Sequence, residues 1–338
     1  MERQAFKRSD ACRKAFFPIQ RYLFCLVFVE QSFLAYLRGR CRSLPPVDIG
    51  IGDDAAIVVP DKHDAGKGLV LCTDQIVDGV DFESQSASLA DVGYKAVAIN
   101  LSDIAAMGAE PQSILVTLTL PQTNATEIAG EVYEGILEIC KQHQVAIAGG
   151  DITTYDGPLA ISVTAQGWTA EPWLRSTAKE GDAVFVSGEL GGSLLGRHLR
   201  PQPRLDLARF LRSIVTVTSA IDVSDGFSLD LDRLCASSRV GVELDLERLP
   251  ISTDAIRMSE KTGRSPREHA WSDGEDFELL FTVPSEQAGT LVHGDLPVPV
   301  HLVGEIVGRT GLWSRADGKL TRVFPQGYIH EQTNVCSD

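Results

Sequence analysis

From about residue 31 onward, apolar positions fall into short runs with β-like character, separated by stretches with helical spacing. That alternation is the pattern of an α/β or α+β chain. The strand-like runs cover residues 55–59, 69–72, 114–120, 145–148, 159–167, 183–187, 220–223, 242–246, 277–283 and 300–307. Several are rich in Val and Ile, and the run through Leu115-Val116-Thr117-Leu118-Thr119-Leu120 alternates cleanly, as a half-buried strand does. Apolar residues at three- and four-residue steps predict helices over 89–107, 126–143, 205–214 and 228–237. The periodicity lapses between residues 168 and 181, which suggests a boundary there. The expected organisation is an N-terminal extension over 1–30 outside the fold, one domain over 31–168 and a second over 169–338.

The chain is long enough for two cores at 338 residues, with 43% apolar and 23% charged residues. Its formal net charge of −15 disfavours nucleic acid, since affinity for a phosphate backbone needs clustered Lys and Arg. The seven cysteines form no Cys-x-x-Cys pair and their number is odd. This argues against zinc and disulfide frameworks and fits a reducing cytoplasm. Residues 1–46 differ, with nine Lys/Arg against three Asp/Glu, and contain the apolar run Tyr22-Leu23-Phe24-Cys25-Leu26-Val27-Phe28-Val29. No small-residue cleavage site follows it, and it is far short of the ~20 residues that span a bilayer. It therefore reads as an extension, with neither export nor membrane insertion expected.

The chemistry is in the carboxylates. Asp clusters stand at Gly turns and predicted strand ends: Gly50-Ile51-Gly52-Asp53-Asp54, Cys72-Thr73-Asp74, Asn100-Leu101-Ser102-Asp103, Gly149-Gly150-Asp151, Asp222-Val223-Ser224-Asp225-Gly226 and Gly274-Glu275-Asp276. One such cluster is an ordinary turn or helix cap, and Asp225-Gly226 has the form of a cap for the helix after it. Six beside apolar elements are different, because buried carboxylates need cations to neutralise them. Strand ends converging on a cleft would give a hard-oxygen site suited to Mg²⁺ and phosphates. Gly149-Gly150 and the stretch Ser187-Gly188-Glu189-Leu190-Gly191-Gly192-Ser193 are candidate turns that offer backbone N–H groups to phosphate, the second equally well a plain strand–helix turn. P-loop, protein-kinase, Rossmann and Gly-x-Ser-x-Gly signatures are all missing. Direct transfer between bound substrates needs no protein nucleophile.

Taken in order, several motifs resemble the thiamine-monophosphate kinase family. They are Gly50-Ile-Gly-Asp-Asp-Ala-Ala, Thr73-Asp74, Tyr94-Lys95-Ala-x-Ala-x-Asn100-Leu-Ser-Asp103-x-Ala-Ala-Met-Gly108-Ala-x-Pro111, Gly149-Gly-Asp151, Arg197-His-Leu-Arg-Pro-x-Pro-Arg204, Ile221-Asp-x-Ser-Asp-Gly226 and Gly274-Glu-Asp-Phe-Glu-Leu279. The resemblance runs from about residue 31 to 330. It implies a two-domain α/β (α+β) fold like that of aminoimidazole-ribonucleotide synthetase, and a homodimer built by the N-terminal domains. It also implies ATP-dependent, magnesium-dependent phosphorylation of thiamine monophosphate to thiamine diphosphate.

Carried over by position, the resemblance puts Asp54, Thr73, Asp74, Asp103, Asp151, Asp222 and Asp225 at several Mg²⁺ ions. Cys72, where the family commonly has Ser or Thr, is counted with them. ATP positions fall on Tyr133, Gly150, Asp151, Arg175 and Ser224. Substrate positions fall on Asp81, Glu275 and Tyr328, and the catalytic positions are Asp74, Asp151 and Arg175. Departures from the family pattern are Cys72 itself, Asp81 where some relatives carry His, and Asp273 where a second Gly is usual. Two other readings stay open: a hydrogenase-maturation or selenophosphate-forming relative, and a catalytically silent sensor of ATP or thiamine phosphates.

Overall fold

The computed structural model describes residues 47–49, 53–58, 68–316 and 318–329. The N-terminal extension, Gly50-Ile51-Gly52 and His330 lie outside the described residues. Two sheets organise the chain. The first has six strands in the order β1-β2-β3-β6-β4-β5: β1 (Val47–Ile49), β2 (Ala56–Val58), β3 (Gly68–Val77), β4 (Glu110–Pro121), β5 (Ala146–Tyr155) and β6 (Ala160–Thr169). All pairs are antiparallel except β4 with β5. The second has seven strands in the order β13-β12-β9-β11-β7-β10-β8: β7 (Asp182–Ser187), β8 (Ser219–Asp222), β9 (Gly241–Leu244), β10 (Leu279–Pro284), β11 (Val300–Val307), β12 (Gly311–Ala316) and β13 (Lys319–Val323).

Helix α1 (Leu89–Ala106) joins the two sheets. Apolar residues surround it, and Val92 and Tyr94 through Ser102 are all buried, the mark of a helix enclosed on every side. It packs on β3 and β6 of the first sheet and on β8 and β10 of the second. One continuous core follows, from Ile161 and Val163 through Leu101 and Ile104 to Phe185 and Phe281. Helix α2 (Ala125–His143) lies against α1 at backbone contact distance. A Cβ on Gly93 would stand 1.9 Å from the Val132 carbonyl oxygen, and one on Gly135 would stand 1.7 Å from that of Ala90. Both positions therefore admit only glycine. The far face of the second sheet carries its own core, where α4 (Phe227–Ser238) and α6 (Pro266–Ser272) contribute Phe227, Leu231, Leu234 and Ala270.

Helix α3 (Leu205–Ile214) agrees with its predicted span. Three sequence expectations are corrected. Gly149-Gly150 is not a turn after a strand, because β5 continues through it to Tyr155. Thr73 and Asp74 are likewise interior to β3 instead of at its end. The stretch 187–193 does not offer its amides to phosphate: the Gly191 N–H donates to Asp276 Oδ2 at 2.8 Å and the Gly192 N–H to Asp273 Oδ2 at 3.0 Å. Helices α5 (Thr253–Thr262), α6 and α7 (Ala288–Val292), together with β12 and β13, lay outside the sequence expectation. Among the described residues no helix is long and apolar enough to cross a membrane.

The segment from Arg197 to Arg204 clamps the halves together. Arg197 pairs with the buried Asp276 at 2.7 Å, and Arg204 Nε with the buried Glu278 at 2.7 Å. Arg200 reaches back to Asp91 on α1 at 2.7 Å and stacks 4.2 Å from the centre of the Tyr94 ring. Guanidinium groups suit this task because a planar fork binds carboxylates and aromatic faces alike.

Candidate active site

Where α1 meets β8, the carboxylates collect. Asp103 is in the last turn of α1, Asp222 ends β8, and Asp54 precedes β2. One oxygen from each lies within 4.8 Å of the other two. Ser102 Oγ donates to Asp222 Oδ2 at 2.7 Å and fixes that carboxylate. Asp74 faces the same centre from β3 and hydrogen-bonds Asp103. Arg175 closes the group from the segment before β7, with Nε donating to Asp54 Oδ2 at 2.6 Å and Nη2 to Oδ1 at 2.5 Å.

These acids are held out of their ordinary range. Burial pushes the Asp103 and Asp222 carboxyls well up; Asp74, Asp222 and Asp54 repel the first, and Asp54 the second. Asp74 is raised as well, first by burial, against its bond to Asp103. Burial and the neighbouring Asp54 charge lift Asp53 to about 6, although the Arg175 N–H donates to it. Desolvation and like charge both oppose the ionised form, so the group is poised for a counter-charge. Oxygen donors that converge without sulfur or imidazole fit a hard cation such as Mg²⁺.

Of this cluster, Asp74, Asp103 and Asp222 line a cleft of about 430 Å³, together with Asp81, Lys95, Ser224, Asp225, Glu275 and Tyr328. Ser224 and Asp225 form the turn before α4, and a residue absent from the sequence reading holds it. The buried Asp230 accepts the N–H groups of Ser224 at 3.0 Å and Asp225 at 2.9 Å. Arg233 donates to Asp230 at 2.8 Å and also to the Asp225 carboxylate. Asp225 is therefore not the helix cap, a position taken by Gly226, and Asp230 does the anchoring from within the helix. Its periodic spacing in Asp225-Gly-Phe-Ser-Leu-Asp230 was the only available signal. Glu275 takes a left-handed backbone, φ 63°, with its N–H on the Ser224 carbonyl at 2.6 Å. The Tyr328 N–H donates to the Asp225 carbonyl at 2.9 Å, which brings the chain's last described turn over the cleft.

Four expected site residues stand elsewhere. The Thr73 side chain points to the face of the sheet away from α1, where its hydroxyl donates to the Val163 carbonyl at 3.0 Å; alternation along β3 sends it opposite to Asp74. Asp151 is exposed on β5 in register with Thr117, and that row continues to Ser162 and Gln75 on the same open face. Gly150 occupies the row of Val116, Val163 and Asp74, three strands from the cluster. A Cβ there would lie 1.8 Å from the Val116 oxygen. Tyr133 is half-buried on α2 against the core and does not line the cleft. Cys72 is buried beside the cluster, but its thiol donates to the Asn100 carbonyl at 3.4 Å, and burial with the Asp103 and Asp74 charges pushes its pKa well up. A neutral thiol is a poor ligand for a hard cation such as Mg²⁺.

Residues 52–169 match the model of the AIR synthase related protein, N-terminal domain, family. The two mixed sheets and the acidic cleft between them thus define a member of the AIR synthase-related class of two-domain α/β proteins. A thiamine-monophosphate kinase of Rhodopirellula baltica is 64% identical over 316 residues, covering 91% of this chain and 99% of that protein. AaThiL, solved in complex with AMPPCP and TMP, superposes with a TM-score of 0.77 at 31% identity, over 89% of this chain and 97% of that one. The chain belongs to the thiamine-monophosphate kinase family. The hydrogenase maturation protein HypE of E. coli, with a TM-score of 0.65 at 20% identity over 87% of this chain and 96% of that one, shares the fold alone.

Proposed function

We infer that this chain catalyses its family's reaction, the ATP-dependent phosphorylation of thiamine monophosphate to thiamine diphosphate. The observation that carries the site reading is the convergence of Asp54, Asp103 and Asp222, with Asp74 and Arg175, at a cleft that Asp74, Asp103 and Asp222 line together with Asp81, Glu275 and Tyr328. Asp54, Asp74, Asp103, Asp222 and Asp225 are the residues that would hold Mg²⁺. When bound, such ions neutralise phosphate charge and let two anions approach.

The protein's own groups do the rest. Arg175 supplies a fixed cation at the acidic wall, oriented by its bidentate bond to Asp54. The Ser224–Asp225 turn, anchored by Asp230, adds a hydroxyl and a carboxylate to the lining of the same cleft. At the acceptor end, carboxylates and the Tyr328 ring suit a cationic aromatic ligand.

The single chain is proposed to function as one half of a homodimer in the cytoplasm. Support comes from the sheet's open face, where Leu115 and Tyr155 are exposed, and from β5 as an uncovered strand. Edge strands and apolar faces of that kind are normally covered by a partner.

The test is to incubate the purified protein with ATP, MgCl₂ and a panel of phosphorylated acceptors, then identify the products by mass. Thiamine diphosphate with stoichiometric ADP is expected from thiamine monophosphate alone. Stabilisation by ATP with no ADP formed would instead establish a sensor. Asp151 can meet a phosphate only where the open face of β5 is covered by the proposed partner subunit; on that reading Asp151→Asn is expected to lower turnover by at least ~10²-fold, the scale of one lost electrostatic contact to a reacting phosphate. Turnover within twofold of wild type would remove Asp151 from the catalytic set and leave it a surface residue of β5.

A further inference from the structure

Lys95 has no assigned role, and its burial calls for one. It stands in the middle of α1 with 1% of its surface exposed, among Tyr94, Ala96 and Val97. An ammonium stripped of water is retained only where partners replace the lost hydration. Its partners come from both halves of the molecule. Nζ donates to the Asp81 backbone oxygen at 2.9 Å and to Glu275 Oε1 at 2.7 Å. Asp81 lies in the turn after β3, and its own carboxylate accepts the Val77 N–H at 2.7 Å, so this turn is internally braced.

The Glu275 backbone is pinned independently of Lys95. Its N–H bonds Ser224, the next residue bonds Arg197 and Gly191, and its φ of 63° is sparsely populated by residues other than glycine. With the backbone fixed, the side chain's direction is what remains to be set. Among the described residues, Lys95 is the hydrogen-bond donor to that carboxylate, and Asp81, Lys95 and Glu275 all line the same cleft.

We propose that Lys95 is a positioning residue for the acceptor: one ammonium holds the Asp81 turn and the Glu275 carboxylate together across the two halves, fixing the acceptor end of the cleft. It acts through Glu275 instead of on the phosphates. This rests on the reading of Glu275 as an acceptor-side residue. The experiment therefore measures Lys95→Met, Glu275→Gln and the double variant, each in steady state against thiamine monophosphate and against ATP.

Lys95→Met is expected to raise the KM for thiamine monophosphate at least about tenfold, the scale of one lost charge-assisted hydrogen bond, with the KM for ATP within twofold. The double variant is expected to match Glu275→Gln within about twofold, because both changes remove one interaction. A Lys95→Met enzyme with unchanged acceptor KM while Glu275→Gln is impaired overturns the inference alone. So do independent, multiplying effects, or an equal rise in both KM values. An unimpaired Glu275→Gln overturns the acceptor-side reading and this inference with it. Should Lys95→Met fail to fold, Lys95→Gln, which keeps a donor of similar length, is measured in its place: it is expected to recover part of the acceptor KM relative to Lys95→Ala. No difference between those two would count against the proposal.

Discussion

Asp103→Asn is expected to abolish turnover, by ~10³-fold or more, while making the cation-free protein more heat-stable than wild type. The two signs share one cause. Asp103 shares a 4.8 Å cluster with Asp54 and Asp222 and bonds Asp74, and burial with their repulsion drives its carboxyl well above the usual range. An amide of the same shape removes a buried like-charge conflict and keeps a donor for Asp74. The same change deletes an oxygen from the set that would face the cation and its phosphates, and losses of one such electrostatic contact reach ~10²–10³. Each kcal/mol of relief corresponds to a rise of about 2–4 °C in Tm for chains of this general size. The measurement pairs kcat at saturating ATP, MgCl₂ and acceptor with a thermal scan in EDTA. Near-normal turnover, or a Tm in EDTA below wild type, would remove the repulsion argument.

A second large effect concerns pH and magnesium together. Asp53 is raised to about 6 and Asp230 to about 7, each chiefly by burial, while Asp74, Asp103 and Asp222 are raised as well. An acid whose folded pKa exceeds its unfolded value binds more protons folded than unfolded between those two values. Stability therefore falls as pH rises through that window, here from about 4 to about 7. Two pKa units on one site correspond to about 3 kcal/mol before screening. In EDTA the protein is expected to melt several degrees lower at pH 8 than at pH 5.5. Added MgCl₂ should recover most of that difference at pH 8 and little of it at pH 5.5, since a cation takes the role of the missing protons and binding to the folded state alone stabilises it. Equal Mg²⁺ stabilisation at both pH values, or higher stability at pH 8 in EDTA, would contradict the assignment. Urea midpoints across the same grid provide the check.

Much of the site was legible before any coordinates. Asp54, Asp103, Asp222 and Asp225 stood out because each adjoins an apolar run where a carboxylate is otherwise costly; Asp103, Asp222 and Asp225 line one cleft, and Asp54 meets Asp103 and Asp222 beside it. The same logic reached less far for Thr73 and Asp151. It treated them as ends of elements, whereas both lie inside strands, where alternation decides which face a side chain takes. Cys72 was assigned by position; its thiol donates to the Asn100 carbonyl, and burial with the Asp103 and Asp74 charges pushes its pKa up. Asp230 went unnamed and Lys95 was given no role because each sits at ordinary helical spacing. Their importance comes from partners 5 to 180 residues away in sequence.

What the sequence determined by itself is therefore local: strand and helix periodicity, and the excess of carboxylates at apolar borders. Each is encoded within a few residues, where backbone sterics and side-chain burial act directly. The tertiary structure decided which carboxylates meet and which turn away. Only the burial of α1 between two sheets brings Asp103 to Asp222 and Lys95 to Glu275. Charges repel or pair according to distance through a low-dielectric interior, and distance between remote segments exists only once the chain has packed.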